Sequence, residues 1–275
     1  MTMIKKLALS IGAAAAAMAM SLSAHAATIS YTGGQFTTFD GFDWASDGTA
    51  FTTGFQAVAG DAFTLTYFAS AVALRSPNTV PTGMDIIANG GGDNSTGFGY
   101  TIVANLNERV SECFAGGSIC SFQVDSGSTF DIYYNPKLSA DTRAGSLGTG
   151  YTLGTLIISG TVDVTGAFGG GTFTVSGAGG TGSASLLGMV TYTNSAFIAP
   201  DLVGTVFGTQ LNLGNLTTQW TNPGGYAGTA FDGRNVVFQA DGNQTFSQAV
   251  PEPGSLALVS LALLGAGAVA RRRKS

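Results

Sequence analysis

The sequence predicts an all-β fold, a single β-sandwich or jelly-roll-like domain placed between two apolar chain ends. Glycine is abundant, with 41 residues, whereas only 10% of the residues are charged. Between residues 27 and 250 there is no long run of helix-favouring residues, and short runs rich in Thr, Val, Phe and Tyr recur instead. Turn-forming Gly, Asn and Asp separate these runs roughly every ten residues, a spacing typical of sandwiches.

The β-favouring runs follow one another along the body of the chain. Gly60-Asp61 supplies a turn after the first run, and residues 125–129 supply one between the fourth and fifth. The glycine-rich stretch 166–182 is either a set of hairpin turns or a flexible connection between sheets. It is the best candidate for a domain boundary, but we predict one domain over residues 27–249. The predicted strands are 51–58, 62–69, 100–104, 121–124, 130–134, 151–164, 172–176, 189–193, 202–207 and 236–239.

The amino-terminal end has the three parts of a secretory signal peptide. Lys5-Lys6 is a short basic region, residues 7–22 are apolar, and Ala24-His25-Ala26 provides the small residues of a cleavage site. This order predicts export through the Sec machinery and cleavage by signal peptidase after Ala26. A retained membrane anchor is the alternative, and the small residues at the right distance argue against it.

The carboxyl-terminal end also has three parts. The first is the sequence Val250, Pro251, Glu252 and Pro253, and the last is the basic run Arg271, Arg272, Arg273 and Lys274. Between them, residues 255–270 carry no charge. As a helix this stretch would be about 24 Å long against a hydrocarbon core of about 30 Å, so we predict a short transmembrane helix. The basic run would hold its end in the cytoplasm.

The two prolines favour an extended backbone, which would leave the motif accessible to an enzyme at the membrane surface. The alternative is an ordinary anchor that a proline-containing linker happens to precede. Residues 250–275 resemble the PEP-CTERM protein-sorting signal of Gram-negative bacteria, whereas the motif of the related Leu-Pro-x-Thr-Gly signal is absent.

This resemblance implies recognition by exosortase, a membrane-embedded, cysteine transpeptidase-like enzyme that removes the tail. It also implies a transient stay at the inner membrane, a final place at the cell surface or in the extracellular matrix, and exopolysaccharide as a possible partner. A second resemblance, to flocculation-associated PEP-CTERM proteins, rests on Gly41-Phe-Asp-Trp44 and Tyr100-Thr-Ile-Val103.

Removal of both ends leaves an acidic body without histidine. Residues 27–250 keep 5 of the 11 Lys and Arg residues and 15 of the 16 Asp and Glu residues, so the net charge is 5 − 15 = −10. Nucleic acid and anionic lipid are poor partners for such a surface, whereas a divalent cation, a neutral glycan or a cationic partner stays open. His25 leaves with the signal peptide, which excludes Ser-His-Asp and Cys-His nucleophiles and histidine-based zinc sites.

Cys113 and Cys120 are the two cysteines of the chain. In an oxidising, exported setting such a close pair is most simply a disulfide that closes a small loop. Metal binding by two thiolates alone and redox catalysis are the less favoured alternatives, because the spacing is not Cys-x-x-Cys.

Three further sets of residues are candidate site residues, each with a structural alternative. Asp40, Asp43 and Asp47 form a weak Ca²⁺ candidate or a solvated turn cluster. Glu108 and Glu112 form a glycosidase acid/base pair only if they share one face. Trp44, Trp220 and Tyr226 either stack on sugar rings or lie buried in the core.

These observations leave three functions, ordered by how well they fit. The first is an exported, non-enzymatic surface or extracellular-matrix protein that exosortase processes and that contributes to biofilm or floc formation with exopolysaccharide. The second is a carbohydrate-binding, lectin-like sandwich, with or without assistance by calcium. The third is a histidine-independent glycoside hydrolase. We expect no cofactor.

Overall fold

The computed structural model describes residues 27–31, 34–45, 48–75, 79–82, 84, 97–137, 150–162, 170–176, 179–214 and 236–247. These residues belong to one compact unit that spans Ala26–Ser247. The predicted signal peptide, residues 1–26, and the predicted sorting tail, residues 250–275, lie outside the described residues.

The described residues form fourteen β-strands, with 3-10 turns at Ala115–Gly117 and at residues 150–152. The strands are β1 (Ala27–Tyr31), β2 (Gln35–Phe39), β3 (Gly41–Trp44), β4 (Gly48–Thr53), β5 (Ala62–Arg75), β6 (Gly99–Phe114), β7 (Ile119–Val124), β8 (Thr129–Asn135), β9 (Thr155–Val162), β10 (Gly170–Ser176), β11 (Gly179–Thr193), β12 (Ile198–Ala199), β13 (Val206–Gly214) and β14 (Val236–Ser247).

Eleven of these strands form one antiparallel sheet that closes on itself as an eight-stranded barrel. Three positions in the wall are each filled by two short strands placed end to end: β3 with β4, β7 with β8, and β9 with β10. The long strands β5, β6, β11, β13 and β14 fill the other positions. β14 pairs with both β3 and β4, and this pairing joins the last strand of the wall to the first.

The predicted β-sandwich or jelly-roll is therefore wrong. A sandwich and a barrel require the same in-and-out alternation along each strand, so the alternation does not distinguish them. They differ in whether the first and last strands pair. Here Thr245 pairs with Gly41 across most of the length of the body, and no local pattern in the sequence indicates such a contact.

The predicted fold also included a C-terminal transmembrane helix. The part of the chain that the structure describes contains no helix long and apolar enough to cross a membrane. Residues 255–270 themselves lie outside that part.

The strand predictions hold for the centres of most strands and fail at several ends. The run predicted at 51–58 ends at Thr53, because Gly54 adopts a φ of 82° and turns the chain. The run predicted at 202–207 begins only at Val206. Within the glycine-rich stretch 166–182, β10 and β11 pair as a hairpin, which is the first of the two alternatives considered.

The interior of the barrel is filled with aromatic rings. Phe42 stacks on Trp44 with ring centroids 4.9 Å apart, and Phe130 meets Phe207 at 4.5 Å. Farther along the axis a second group of rings packs together, formed by Phe55, Phe63, Phe122, Phe173 and Phe238. Offset and edge-on ring pairs of this kind contribute about 0.5–1.5 kcal/mol each beyond the area that they bury.

Two glycines make room for the central rings. A Cβ atom at Gly160 would lie 2.3 Å from the Phe130 ring, and one at Gly188 would lie 2.4 Å from the Phe207 ring. Both glycines belong to interior-facing positions on neighbouring strands, β9 and β11. The rings therefore occupy space that a side chain would take at an ordinary strand position.

A small sheet covers one end of the barrel, which we call the cap end. It consists of β12, β1 and β2. Ile29 and Phe39 of this sheet are fully buried, and the Phe39 ring packs against Phe42 and Phe246 at centroid distances of 5.6 and 6.2 Å. Because Phe246 is the penultimate residue of β14, the chain leaves the barrel at the cap end.

Substitution of Gly160 by alanine tests the packing of the interior. We expect Gly160→Ala to lower the free energy of unfolding by about 1–3 kcal/mol, the usual cost of overpacking a filled core. Gly214→Ala is the matched control, since the nearest atom to a Cβ there is 3.8 Å away. Urea unfolding of the two variants measures the difference, and equal stabilities would contradict a filled interior beside Gly160.

Candidate functional site

The inside of the barrel leaves almost no free space. Among the described residues the cavity between the rings has a volume of about 20 Å³, and its lining includes Tyr67, Phe130, Phe207 and Gln244. That is about the space of one water molecule, whereas ligand pockets usually measure about 300–1,000 Å³. A sugar or an organic cofactor does not fit there.

Glu108 is the most deeply buried carboxyl group of the described wall. It points inward from β6 between Phe63 of β5 and Val124 of β7, and only 1% of its surface is exposed. Neither carboxyl oxygen has a hydrogen-bond partner among the described residues. Burial raises the pKa of Glu108 well above its ordinary value, because the charged form loses its hydration. Burial thus favours the neutral form of the carboxyl group.

Glu112 does not lie on the same side of the wall as Glu108. The register of β6 against β7 shifts between Val110 and Glu112, and Glu112 is exposed. The two carboxyl groups therefore do not form the facing pair that the glycosidase alternative would require.

Of the three aromatic residues that the sequence left open as sugar contacts or core residues, the structure describes one. Trp44 is 1% exposed and stacked on Phe42 inside the barrel, so it belongs to the core and presents no face to a sugar. Trp220 and Tyr226 lie outside the described residues.

The acidic cluster near the amino-terminus is only partly described. Asp43 lies on the outer face of β3, one oxygen of Asp40 is buried without a partner, and Asp47 lies outside the described residues. Asp241, which was not predicted as a site residue, lies close to Asp43: burial first, and then the charge of Asp43, raise the pKa of Asp241. The described residues contain no group of three potential metal ligands.

The end of the barrel opposite the cap carries the disulfide, and we call it the disulfide end. Cys113 and Cys120 form a disulfide between β6 and β7, with their Cα atoms 4.1 Å apart. The turn between them has positive φ values at Ala115 (51°), Gly116 (68°) and Gly117 (91°). A positive φ is strained for alanine, so surrounding contacts must hold this turn in place.

Neighbouring residues supply such contacts. Val110 of β6 exchanges backbone hydrogen bonds with the loop before β5: it accepts from the Gly60 N–H at 2.8 Å and donates to the Asp61 carbonyl at 2.9 Å. A Cβ built at Gly117 would lie 3.0 Å from the Cβ of Ala57 in the same loop, so the two turns touch. The disulfide and this loop together fix the hairpin.

Three apolar side chains project from the disulfide end. Phe114 and Ile119 are paired across the hairpin and are 53% and 41% exposed, and Val58 of the adjoining loop is 61% exposed. We call Val58, Phe114 and Ile119 the apolar tip. An exposed apolar group on a rigid turn is a typical contact site.

A second exposed apolar surface lies on the outer side of β11 and β13 towards the cap end. Its members are Leu187, Met189, Tyr192, Val203 and Val206, each 38–53% exposed. Met189 pairs with Val206, and the N–H of Gly204, next to Val203, donates to the Val190 carbonyl at 2.9 Å. Met189 and Val206 are therefore neighbours, and we call the five exposed side chains the apolar face.

The fold thus belongs to the class of closed antiparallel barrels with a packed interior. Residues 249–274 match the family model of the PEP-CTERM protein-sorting motif. The chain is a PEP-CTERM domain-containing protein, and this confirms the recognition made from Val250, Pro251, Glu252 and Pro253. The motif supports an exported protein that exosortase processes and that is sorted to the cell surface. Neither the curated proteins nor the solved structures include a match to the chain.

Glu108→Gln should change how stability depends on pH. The raised pKa in the folded state means that Glu108 favours folding below its unfolded pKa, about 4.3, and that this contribution is lost as the pH rises through the folded-state pKa. The wild-type protein therefore loses about 1.4 kcal/mol per pH unit between the two pKa values. The neutral amide removes this loss, so the variant should be the more stable protein at pH 7.

Urea unfolding of the processed protein between pH 4 and pH 8 measures this effect. The control is Glu112→Gln, because Glu112 is exposed and its removal should leave the slope unchanged. Identical pH dependence of the wild-type protein and Glu108→Gln would show that the Glu108 carboxyl is not buried in the folded barrel.

Proposed function

We propose that the protein is an exported, non-enzymatic component of the cell surface or extracellular matrix of a Gram-negative bacterium. Exosortase processes it during a transient stay at the inner membrane. It then contributes to biofilm or floc structure together with secreted polysaccharide. The single observation that carries the proposal is the direct succession of a packed barrel and a sorting motif: β14 ends at Ser247, and the matched motif begins at residue 249.

This succession supports a body that is delivered to the surface as a structural unit. One residue, Gln248, separates the last strand from the matched motif. The motif residues Val250 to Pro253 follow Ser247 by three to six positions, a reach of at most about 10–22 Å at 3.3–3.6 Å per residue. The recognition segment therefore follows the last strand of the barrel closely along the chain.

The packed interior supports a role without catalysis. Aromatic rings occupy the volume in which small barrels that bind ligands hold them. The carboxyl group in the interior, Glu108, has only apolar cross-strand neighbours, Phe63 and Val124. General acid–base catalysis needs the group within hydrogen-bond reach of a substrate, which this position does not provide.

The described residues that were considered for the two alternative functions do not form the sites that those functions require. Trp44 was a candidate sugar contact of the lectin-like alternative, but it lies in the core. Glu108 and Glu112 were the candidate acid/base pair of the hydrolase alternative, but they do not face each other. We therefore keep neither as a second candidate.

Replacement of the motif tests the processing step. With Pro251→Ala, Glu252→Ala and Pro253→Ala combined, we expect the protein to stay cell-associated with its tail uncleaved, because the extended recognition segment is lost. Mass spectrometry of the carboxyl terminus together with cell fractionation reports the outcome. Gln248→Ala, just outside the matched residues, is the control and should be processed normally; normal processing of the triple variant would refute exosortase sorting.

A separate experiment tests the matrix role. In a strain that lacks the protein, we expect thinner biofilm or smaller flocs while the amount of secreted polysaccharide is unchanged. Expression of the wild-type chain should restore the phenotype, and expression of the triple motif variant should not. Unaltered biofilm and flocs in the deletion strain would contradict the matrix role. The result of the sorting experiment would not be affected.

A further inference from the structure

A groove of about 1350 Å³ lies on the outer side of the barrel wall. Ligand pockets usually measure about 300–1,000 Å³, so the groove has room for a substantial ligand, unlike the filled interior. Its lining contains a row of outward-facing residues that pair with one another across six neighbouring strands, so the backbone register fixes their order. From β14 to β6 this row, which we call the polar row, consists of Asn243, Gln210, Ser185, Gly170, Gln123 and Arg109.

The polar row is long, and it is not a sheet edge. Neighbouring strands lie about 4.8 Å apart, so the five steps from β14 to β6 give the row a length of about 24 Å. Each of its six strands is paired with a neighbour on both sides. An extended peptide that binds by adding a strand to an open edge therefore finds no edge here. The groove instead presents a line of side chains to a chain molecule that lies across the strands.

An arginine lies at each end of the polar row, and a neighbouring side chain holds each one in place. Nη1 of Arg75 reaches across β3 and donates to Oδ1 of Asn243 at 3.0 Å. Nε and Nη2 of Arg109 donate to Oδ2 of Asp125 at 3.1 and 2.8 Å. Both guanidinium groups are thus positioned before a ligand arrives, which reduces the conformational entropy lost on binding.

The charge of the groove differs from the charge of the body. The described lining includes Arg75 and Arg109 but only one acidic residue, Asp125, so its net charge is 2 − 1 = +1. The body between the two cleaved ends has a net charge of 5 − 15 = −10. A polyanion is therefore repelled by the body as it approaches, whereas an uncharged chain is not.

The side chains between the two arginines both donate and accept hydrogen bonds. The amides of Gln123 and Gln210 each carry an NH₂ donor group and a carbonyl acceptor, and the Ser185 hydroxyl adds a further donor and acceptor. None of these three side chains has a hydrogen-bond partner among the described residues. A sugar hydroxyl also donates and accepts, whereas a carboxylate or a phosphate only accepts. The groove therefore matches a polyhydroxylated chain better than an anionic one.

The lining also has an apolar part beside the polar row. Leu187 and Val206, each 38% exposed, line the groove and belong to the apolar face. A pyranose ring has the same division, with hydroxyl groups around its edge and C–H groups on its faces. Contact of those C–H groups with Leu187 and Val206 removes apolar surface from water and adds to the hydrogen bonds of the polar row.

We propose that this groove binds a neutral polysaccharide chain that lies across the six strands of the polar row. The amide and hydroxyl side chains of the row bind the sugar hydroxyls, and Arg75 and Arg109 mark the two ends of the site. Trp44, the sugar contact considered from the sequence, lies in the core and takes no part. The choice of a secreted polysaccharide as partner rests on the proposed matrix role, whereas the preference for uncharged sugars rests on the groove alone.

Binding of the processed protein to polysaccharide from the same strain tests this site. Anion exchange separates the secreted polysaccharide into a neutral and an acidic fraction, and each fraction is immobilised for biolayer interferometry. We expect binding to the neutral fraction with an affinity that does not change between about 50 and 500 mM NaCl, because no ion pair forms. No binding to the neutral fraction, or tighter binding to the acidic fraction, would overturn the proposal.

Two variants of the polar row locate the binding. Gln123→Ala combined with Gln210→Ala removes two amides and should weaken binding about tenfold, since each lost hydrogen bond has a modest effect. Ser185→Tyr places a ring in the middle of the row and should weaken binding at least as much, because the ring fills the groove. All three residues are exposed on the outer side of the wall, so these changes leave the packed interior intact.

The matched control is Gln35→Ala, because Gln35 is an exposed glutamine of β2 that does not line the groove. This variant should bind the neutral fraction like the wild-type protein. Wild-type affinity in both row variants, or an equal loss of affinity in Gln35→Ala, would overturn the proposed site.

This test and the matrix test can fail separately. If the protein does not bind the neutral fraction but the deletion strain forms thinner biofilm, the proposed site is wrong and the matrix role stands. If the row variants lose binding but the deletion strain forms normal biofilm and flocs, the site stands and the matrix role is wrong.

Discussion

The pairing of β14 with β3 and β4 is the contact on which the rest of the structure depends. It joins residues 236–245 to residues 41–52 and turns an open sheet into a closed wall. Closure creates the interior that Phe130 and Phe207 fill, and it leaves the wall itself without the edge strands through which β proteins often aggregate. A barrel without this pairing would expose both its rings and its backbone hydrogen-bonding groups to water.

Local chemistry made the strands predictable, and long-range pairing made the fold unpredictable. β-branched and aromatic residues in alternation identified the first half of β5, β8 and most of β10, because those signals act within a few residues. Whether Thr245 meets Gly41 is a property of the whole chain, so a sandwich was as consistent with the sequence as a barrel. Two glycines reflect the packing of the barrel interior. Gly160 and Gly188 lie at interior strand positions because rings on neighbouring strands occupy their side-chain space.

The candidate functional residues were likewise predictable where the signal is local in sequence and unpredictable where it depends on the three-dimensional structure. The sorting motif is a contiguous sequence signal, so the residues from Val250 to Pro253, with the apolar and basic segments behind them, were sufficient to recognise it. The roles assigned to Trp44 and Glu108 depended on which face of a strand each one occupies, and a single residue of register decides that. The apolar tip and the apolar face were not found at all, since exposure of Phe114 or Met189 follows only from the three-dimensional arrangement.

The position of β14 also sets an order of events during biogenesis. A chain that is exported from its amino-terminal end delivers residues 236–247 last among the strands, so the wall stays open until nearly the whole polypeptide has crossed. Contacts between such distant segments form slowly, because the long intervening loop must first be ordered. The sorting motif at residues 249–274 follows that final strand directly, so a chain exported in this order presents the motif only after β14 has crossed.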